Sequence, residues 1–153
     1  MTMDIGDPVP DFTLTTDDGR TLSLSDLRGE KILIFFYPAA MTPGCTTEAC
    51  DFRDAHAGLL EAGYRIVGIS PDPPERNARF RERDRLPFPL LSDPDHAVAG
   101  AFGAWGTKKQ YGREYEGLIR STFVVDGDGR LERTYRNVRA KGHVARVTAD
   151  LLG

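Results

Sequence analysis

The chain has 153 residues, enough for one domain that buries a core without disulfide or metal staples. Apolar residues make up 40%, which excludes general disorder. Lys+Arg 20 against Asp+Glu 23 leaves a formal charge of -3, so there is no electrostatic case for a nucleic-acid or anionic-membrane partner.

The N-terminal stretch, residues 1–8, has neither the basic start nor the apolar run of a signal peptide. The longest apolar run, Ile32–Tyr37, ends at Pro38 and is far too short to span a bilayer. A cytoplasmic protein is expected, and in a reducing compartment two cysteines read as metal-binding, redox or catalytic. No linker or repeat divides the chain, so residues 1–153 are expected to form a single domain.

Asp17-Asp18-Gly19-Arg20 reads as the turn of a first hairpin between Phe12–Thr15 and Thr21–Leu24. Lys31–Tyr37 is apolar without alternation, as expected of a strand covered on both faces. Ala49, Phe52, Ala55, Leu59 and Ala62 follow helical spacing, and Gly63 stands where a helix C-terminal glycine would. Tyr64–Ser70 reads as a second buried strand. Helices are expected over Pro74–Arg85 and Pro94–Phe102. Ser121–Asp126 reads as a strand, turned by Asp126-Gly127-Asp128-Gly129 into an antiparallel partner at Arg130–Tyr135. A last helix runs from about His143 to Leu152. Strand, helix, strand in this order predicts an α/β fold with parallel pairing and some antiparallel strands.

The informative stretch is Tyr37-Pro38-Ala39-Ala40-Met41-Thr42-Pro43-Gly44-Cys45-Thr46-Thr47-Glu48-Ala49-Cys50. It follows a buried strand and opens a helix, the edge where sites form in open α/β sheets. Thr42 suits the N-cap and Pro43 the first helical position, which places Cys45 third. There a thiolate meets unpaired backbone N–H groups and the positive end of the helix dipole. The thiolate is the nucleophile toward peroxides. The Thr42 hydroxyl, the first-turn N–H groups and an arginine are the donors that can polarise the O–O bond. A buried inert thiol is the plain alternative, and the cap, the proline and the second cysteine together argue against it.

Cys50 lies five residues on. An ideal helix puts the two Cα atoms about 8.6 Å apart and ~140° around the axis, whereas a disulfide needs Cα atoms within about 7 Å. If both residues are helical when reduced, their disulfide requires the first turns to unwind. The plain alternative for Cys50 is a small core residue beside Ala49 and Phe52.

Pro38-x-x-x-Thr42-x-x-Cys45 resembles the active-site motif of the peroxiredoxins. The fuller string Phe36-Tyr37-Pro38, Thr42-Pro43-Gly44-Cys45-Thr46 and Glu48 to Asp54 is similar to the bacterioferritin comigratory protein (PrxQ) subfamily. The likeness continues through Pro10-Asp11-Phe12, Gly68-Ile69-Ser70, Leu90-Leu91-Ser92-Asp93, Arg120-Ser121-Thr122-Phe123 and Gly142-His143. It implies a thioredoxin-like fold, a central mixed sheet flanked by helices with an extra N-terminal β-hairpin. It implies Cys45 as the peroxidatic residue and Cys50 as the resolving one, with hydroperoxide as substrate and thioredoxin or a similar dithiol as reductant. Thr42 is then the peroxide-polarising hydroxyl, Arg120 the guanidinium that stabilises the thiolate and the transition state, and Pro38 the residue that shields the pocket. Glu48 matches the subfamily's first-turn glutamate. An internal resolving cysteine is compatible with a monomer or weak homodimer. Ala39-Ala40 departs from the Lys-Asp that many relatives carry, so their substrate preference does not transfer.

The cycle needs no metal, haem or flavin. His56, His96 and His143 have no zinc-ligand spacing to the cysteines. The arginine-rich run from Glu75 to Arg85 is interleaved with acids and reads as a solvated helix face. Asp126-Gly127-Asp128-Gly129 lacks the later ligands of a calcium loop. Trp105 and Tyr111 read as packing residues. Two other functions stand beside the peroxidase. A thiol-disulfide oxidoreductase is disfavoured by Cys-x-x-x-x-Cys in place of Cys-x-x-Cys. A redox sensor without turnover differs in rate.

Overall fold

In the run Lys31-Ile32-Leu33-Ile34-Phe35-Phe36, every residue after Lys31 is buried, and successive side chains point to opposite faces of a sheet. A computed structural model describes residues 3–153; Met1 and Thr2, part of the stretch read for a targeting signal, lie outside the described residues. In chain order the elements are β1 (Thr13–Thr16), β2 (Thr21–Ser23), a 3-10 turn (Leu24–Leu27), β3 (Lys31–Phe36), α1 (Pro43–Glu61), β4 (Tyr64–Ser70) and α2 (Pro74–Asp84). They continue as β5 (Leu90–Ser92), α3 (Ala97–Phe102), β6 (Trp105–Gln110), β7 (Arg113–Leu118), β8 (Ser121–Val125), β9 (Leu131–Tyr135) and α4 (His143–Leu152).

Seven strands form one mixed sheet in the order β2-β1-β5-β4-β3-β8-β9. β3, β4 and β5 run parallel to their neighbours among themselves, whereas β1, β8 and β9 pair antiparallel. The sheet separates two apolar layers. Ile32, Ile34 and Phe36 of β3 join Phe102 of α3 and Phe123 on one face. Leu33, Phe35 and Tyr37 join Phe52 of α1, Phe80 of α2 and Val147 of α4 on the other. Both faces of β3 are thus covered, which is why its sequence lacks alternation. The expected α/β class, mixed sheet and N-terminal hairpin β1–β2 are present.

Three features differ from the sequence reading. The third helix starts at Ala97, not Pro94, because the Asp93 carboxylate accepts the Val98 and Ala99 N–H groups at 3.2 and 2.9 Å. The N-terminal donors are thereby satisfied from outside the helix, and the intervening Pro94–His96 forms a turn. β5 is three residues long and takes its place from pairing with β4 and β1. The β6–β7 hairpin was not anticipated. Its strands pair only with each other, and much of β7 is solvated, so they carry no core periodicity. Trp105 in this hairpin stacks on His96 at 3.8 Å, whereas Tyr111 at its turn is 95% exposed. Among the described residues, no helix is long and apolar enough to cross a membrane.

Candidate active site

The loop from β3 into α1 is fixed by its neighbours before it reaches the cysteine. The Ala40 N–H donates to Asp72 Oδ2 at 2.7 Å, and Arg76 Nη2 donates to the Ala40 carbonyl at 3.1 Å. Tyr37, fully buried, donates its hydroxyl to Asn77 Oδ1 at 2.6 Å. Burial holds that phenol protonated well above its usual range. Pro38 is half-buried between these anchors. Met41 takes a left-handed φ of 64°, a conformation that side chains other than glycine's adopt at a cost of ~1–2 kcal/mol, so the surrounding contacts must hold it there.

Thr42 has the extended backbone of an N-cap, its carbonyl accepts the Thr46 N–H at 2.8 Å, and Pro43 opens α1. Its hydroxyl, however, donates to the Ala39 carbonyl at 2.7 Å and does not cap the helix. The oxygen lone pairs are left as the group it can offer a ligand.

Cys45 is the third residue of α1 and is fully buried. Arg120, just before β8, brings Nη2 to 3.3 Å from Cys45 Sγ and Nη1 to 2.7 Å from Glu48 Oε1. The Arg120 side chain is 15% exposed, so its charge is little screened. Burial works to lower its pKa, but the neighbouring Glu48 and Cys45 side chains outweigh it and the net direction is up. Gly44 makes the approach possible: a Cβ there would lie 3.2 Å from Arg120 Nη2, tighter than an ordinary contact.

Glu48 has no solvent contact, and burial raises its pKa to about 7 against the opposing Arg120 charge. Its second oxygen, Oε2, has no hydrogen-bond partner and lies 3.8 Å from His143 Nε2. His143 is itself pushed down to about 4, by burial first and then by the Arg120 and Arg146 charges, so the contact is not an ion pair at neutral pH. Thr122 Oγ1 sits 2.7 Å from the same Nε2.

Cys50 is half-buried, and both cysteines are free thiols within one continuous helix. Burial pushes the Cys50 thiol up, and the Asp84 carboxylate adds to the effect. Two contacts from α2 tie this part of α1 down. Arg83 Nη2 donates to Thr46 Oγ1 at 2.8 Å, and Arg53 Nη1 donates to the Asp84 carbonyl at 2.7 Å.

Cys45, Glu48 and Arg120 therefore meet in one cluster, with Thr42 and Pro38 on the loop beside it and Cys50 further along the helix. Sequence reasoning did not place His143 beside Glu48, where its Nε2 lies 3.8 Å from Oε2, or Lys108 of β6, whose pKa is lowered by burial first and then by the Arg120 charge. Lys108 lies in a solvated hairpin and His143 on another helix, so no local spacing marks either. Among the described residues, no group of three or more His, Cys, Asp or Glu side chains is arranged to hold a metal ion.

The AhpC/TSA family model matches residues 5–134. The chain is 49% identical to peroxiredoxin Bcp of Bacillus subtilis, over 99% of this chain and 96% of that protein. Solved structures of the Xanthomonas campestris bacterioferritin comigratory protein (TM-score 0.87, 34% identity, 92% of this chain and 90% of that one) and of a Xylella fastidiosa PrxQ variant (TM-score 0.92, 28% identity, 99% and 97%) share the fold. With a family model and such likenesses running over most of its length, the chain belongs to the AhpC/TSA family, within its bacterioferritin comigratory protein (PrxQ) group of peroxiredoxins.

Proposed function

We propose that the protein is a thiol peroxidase in which Cys45 reduces a hydroperoxide and Cys50 resolves the oxidised sulfur. The observation that carries this reading is the Arg120 guanidinium 3.3 Å from a buried Cys45 Sγ in the first turn of α1. A cation and a helix N-terminus both favour the thiolate, and the same donors stabilise the charge that develops on the leaving oxygen. The Bacillus relative is named a peroxiredoxin, and the Xanthomonas protein was studied for alkyl peroxide reduction.

The Cys45 thiolate attacks the terminal peroxide oxygen. The O–O bond breaks, sulfur is oxidised to the sulfenic acid, and the departing alkoxide or hydroxide takes up one proton to leave as alcohol or water. Thr42, whose own proton is held by the Ala39 carbonyl, accepts from the peroxide O–H and orients it. Arg120 donates to the reacting oxygens, and Pro38 walls the pocket. Glu48 positions Arg120. Cys50 then attacks the sulfenic sulfur, water leaves and a disulfide forms. An external dithiol, thioredoxin or a similar protein, reduces that disulfide by exchange and is itself oxidised. Residues 1–153 act as one domain in this scheme, in the cytoplasm, as a monomer or weak homodimer.

Stopped-flow oxidation by hydrogen peroxide and by an alkyl hydroperoxide, followed through Trp105 fluorescence, tests the reading. The wild type should oxidise several decades faster than the ~1–10 M⁻¹s⁻¹ of an ordinary thiol, and Cys45→Ser should lose the fast phase. Cys50→Ser should keep one fast oxidation yet fail to turn over with thioredoxin. Slow oxidation of the wild type by both peroxides would discard the peroxidase.

A further inference from the structure

Met41 holds a left-handed φ of 64° one residue before Thr42, and a side chain other than glycine's keeps such a backbone only where its neighbours over-determine it. The preceding segment, Tyr37-Pro38-Ala39-Ala40, has no short polar side chain to tie its own backbone, so its tethers come from outside. Ala40 is gripped by both of its backbone polar groups. Its N–H donates to Asp72 Oδ2 at 2.7 Å, and its carbonyl accepts from Arg76 Nη2 at 3.1 Å. The other oxygen of Asp72, Oδ1, lies 3.2 Å from Arg76 Nε. Each contact uses its own side-chain atoms, so none competes with another.

The grip belongs to a larger anchor. Asn77, next to Arg76 on α2, accepts the Tyr37 hydroxyl at 2.6 Å and the Ser70 hydroxyl at 3.2 Å, both on Oδ1. The Asp72 N–H donates to the same Ser70 Oγ at 3.2 Å. One short stretch, residues 70–77, thus fixes both ends of residues 37–40. Ala40 has no solvent contact and the Asp72 side chain is 12% exposed, so removing Asp72 leaves a buried N–H without its acceptor. Beyond the grip the chain makes its turn at Met41, and the Thr42 hydroxyl returns to the Ala39 carbonyl at 2.7 Å. The direction of the Thr42 oxygen therefore depends on where Ala39 and Ala40 are held.

We propose that Asp72 and Arg76 are positioning residues, which by gripping Ala40 set the turn at Met41 that aims the Thr42 oxygen at the peroxide. The inference rests on the peroxidase reading of the site. Neither residue touches Cys45 or exchanges a proton with substrate. They act through Thr42, and a misplacement of the hydroxyl by about 1 Å is enough to cost a reaction up to about 10²-fold.

The test uses the Cys50→Ser background, where Cys45 is the one thiol left. In stopped flow, Asp72→Ala and Arg76→Met should each slow oxidation by hydrogen peroxide about 10- to 100-fold. Neither should slow alkylation of Cys45 by iodoacetamide, which needs the thiolate but no hydroxyl to orient it. Asp72→Asn, which keeps an acceptor for the Ala40 N–H, should lose less than Asp72→Ala. With Thr42→Val added there is no hydroxyl to aim, and the same substitutions should then cost less than about threefold, as expected of residues that act through one another. Equal slowing of oxidation and alkylation would make the pair a general support of the helix start and overturn the proposal. So would an undiminished loss in the Thr42→Val background. Should Asp72→Ala not fold, the half-exposed Arg76 carries the same comparison through Arg76→Met. A parent protein without a fast peroxide phase would defeat the peroxidase reading itself, whereas a fast parent with additive substitutions would defeat this inference alone.

Discussion

Residues 43–50 of α1 bury only the small side chains of Cys45 and Ala49 in the apolar core, and their larger side chains are tied by polar contacts: Glu48 to Arg120, which also reaches Cys45, and Thr46 to Arg83. Residues 52–59 are anchored by packing. Phe52 stacks on Phe35 with ring centroids 4.9 Å apart, and both Phe52 and Leu59 are fully buried. Water can replace polar partners at a net cost of about 0.5–1.5 kcal/mol each, more for charged ones, whereas withdrawing a buried phenylalanine costs about 3–5 kcal/mol. The two halves of one helix therefore have different opening costs. Both cysteines lie in the half that parts more easily, where a disulfide needs the helix to unwind.

Phe52→Ala would blur that boundary most. It should cost about 3–5 kcal/mol in urea unfolding and extend oxidation-linked opening toward Leu59, readable by amide hydrogen exchange. In the wild type, oxidation should strip protection from residues 45–50 and spare 52–59. Uniform loss along α1 would remove the distinction between its halves.

Arg120→Gln removes the cation on which the first turns converge. Peroxide oxidation of Cys45 should slow by about 10²–10³-fold, the usual effect of losing one donor to a developing anion. A change of less than tenfold in stopped flow would mean that Arg120 is not the main stabiliser.

The pH dependence of stability separates two groups that meet at the boundary. Glu48, raised to about 7 from 4.5, binds more protons folded than unfolded, so its contribution falls as pH rises through that window. His143, lowered to about 4 from 6.5, binds fewer, so its contribution grows over that window. The slopes oppose each other from 4.5 to 6.5, and the wild type should be nearly flat there on their account. Glu48→Gln should expose the His143 slope, a gain of about 1 kcal/mol per pH unit in urea midpoints. A flat Glu48→Gln profile would contradict the assignment.

The smallest effect belongs to Thr46→Ala, which removes the bond from Arg83. It should cost about 0.5–1 kcal/mol, leave the first oxidation unchanged and speed Cys45–Cys50 disulfide formation a few-fold. Slower disulfide formation would show that this contact aids opening.

The chain order of strands and helices was legible because β3 and β4 are continuous apolar runs and α1 repeats its apolar positions at helical spacing. The start of α1 was legible too, since Thr42 and Pro43 act through local backbone geometry. The start of α3 was not, because Asp93 satisfies its first N–H groups from outside the helix. The β6–β7 hairpin was not, because its strands are solvated and carry no core pattern.

By itself, the sequence determined where Cys45 stands on its helix and how far away Cys50 is. Both follow from 3.6 residues per turn and a local cap. Only the tertiary structure decided that Arg120 reaches across 75 residues to Cys45, that the Thr42 hydroxyl turns to Ala39, and that Glu48 faces His143 without a donor. Those contacts join segments that only the sheet brings together, and their energetics depend on burial, which no spacing along the chain encodes.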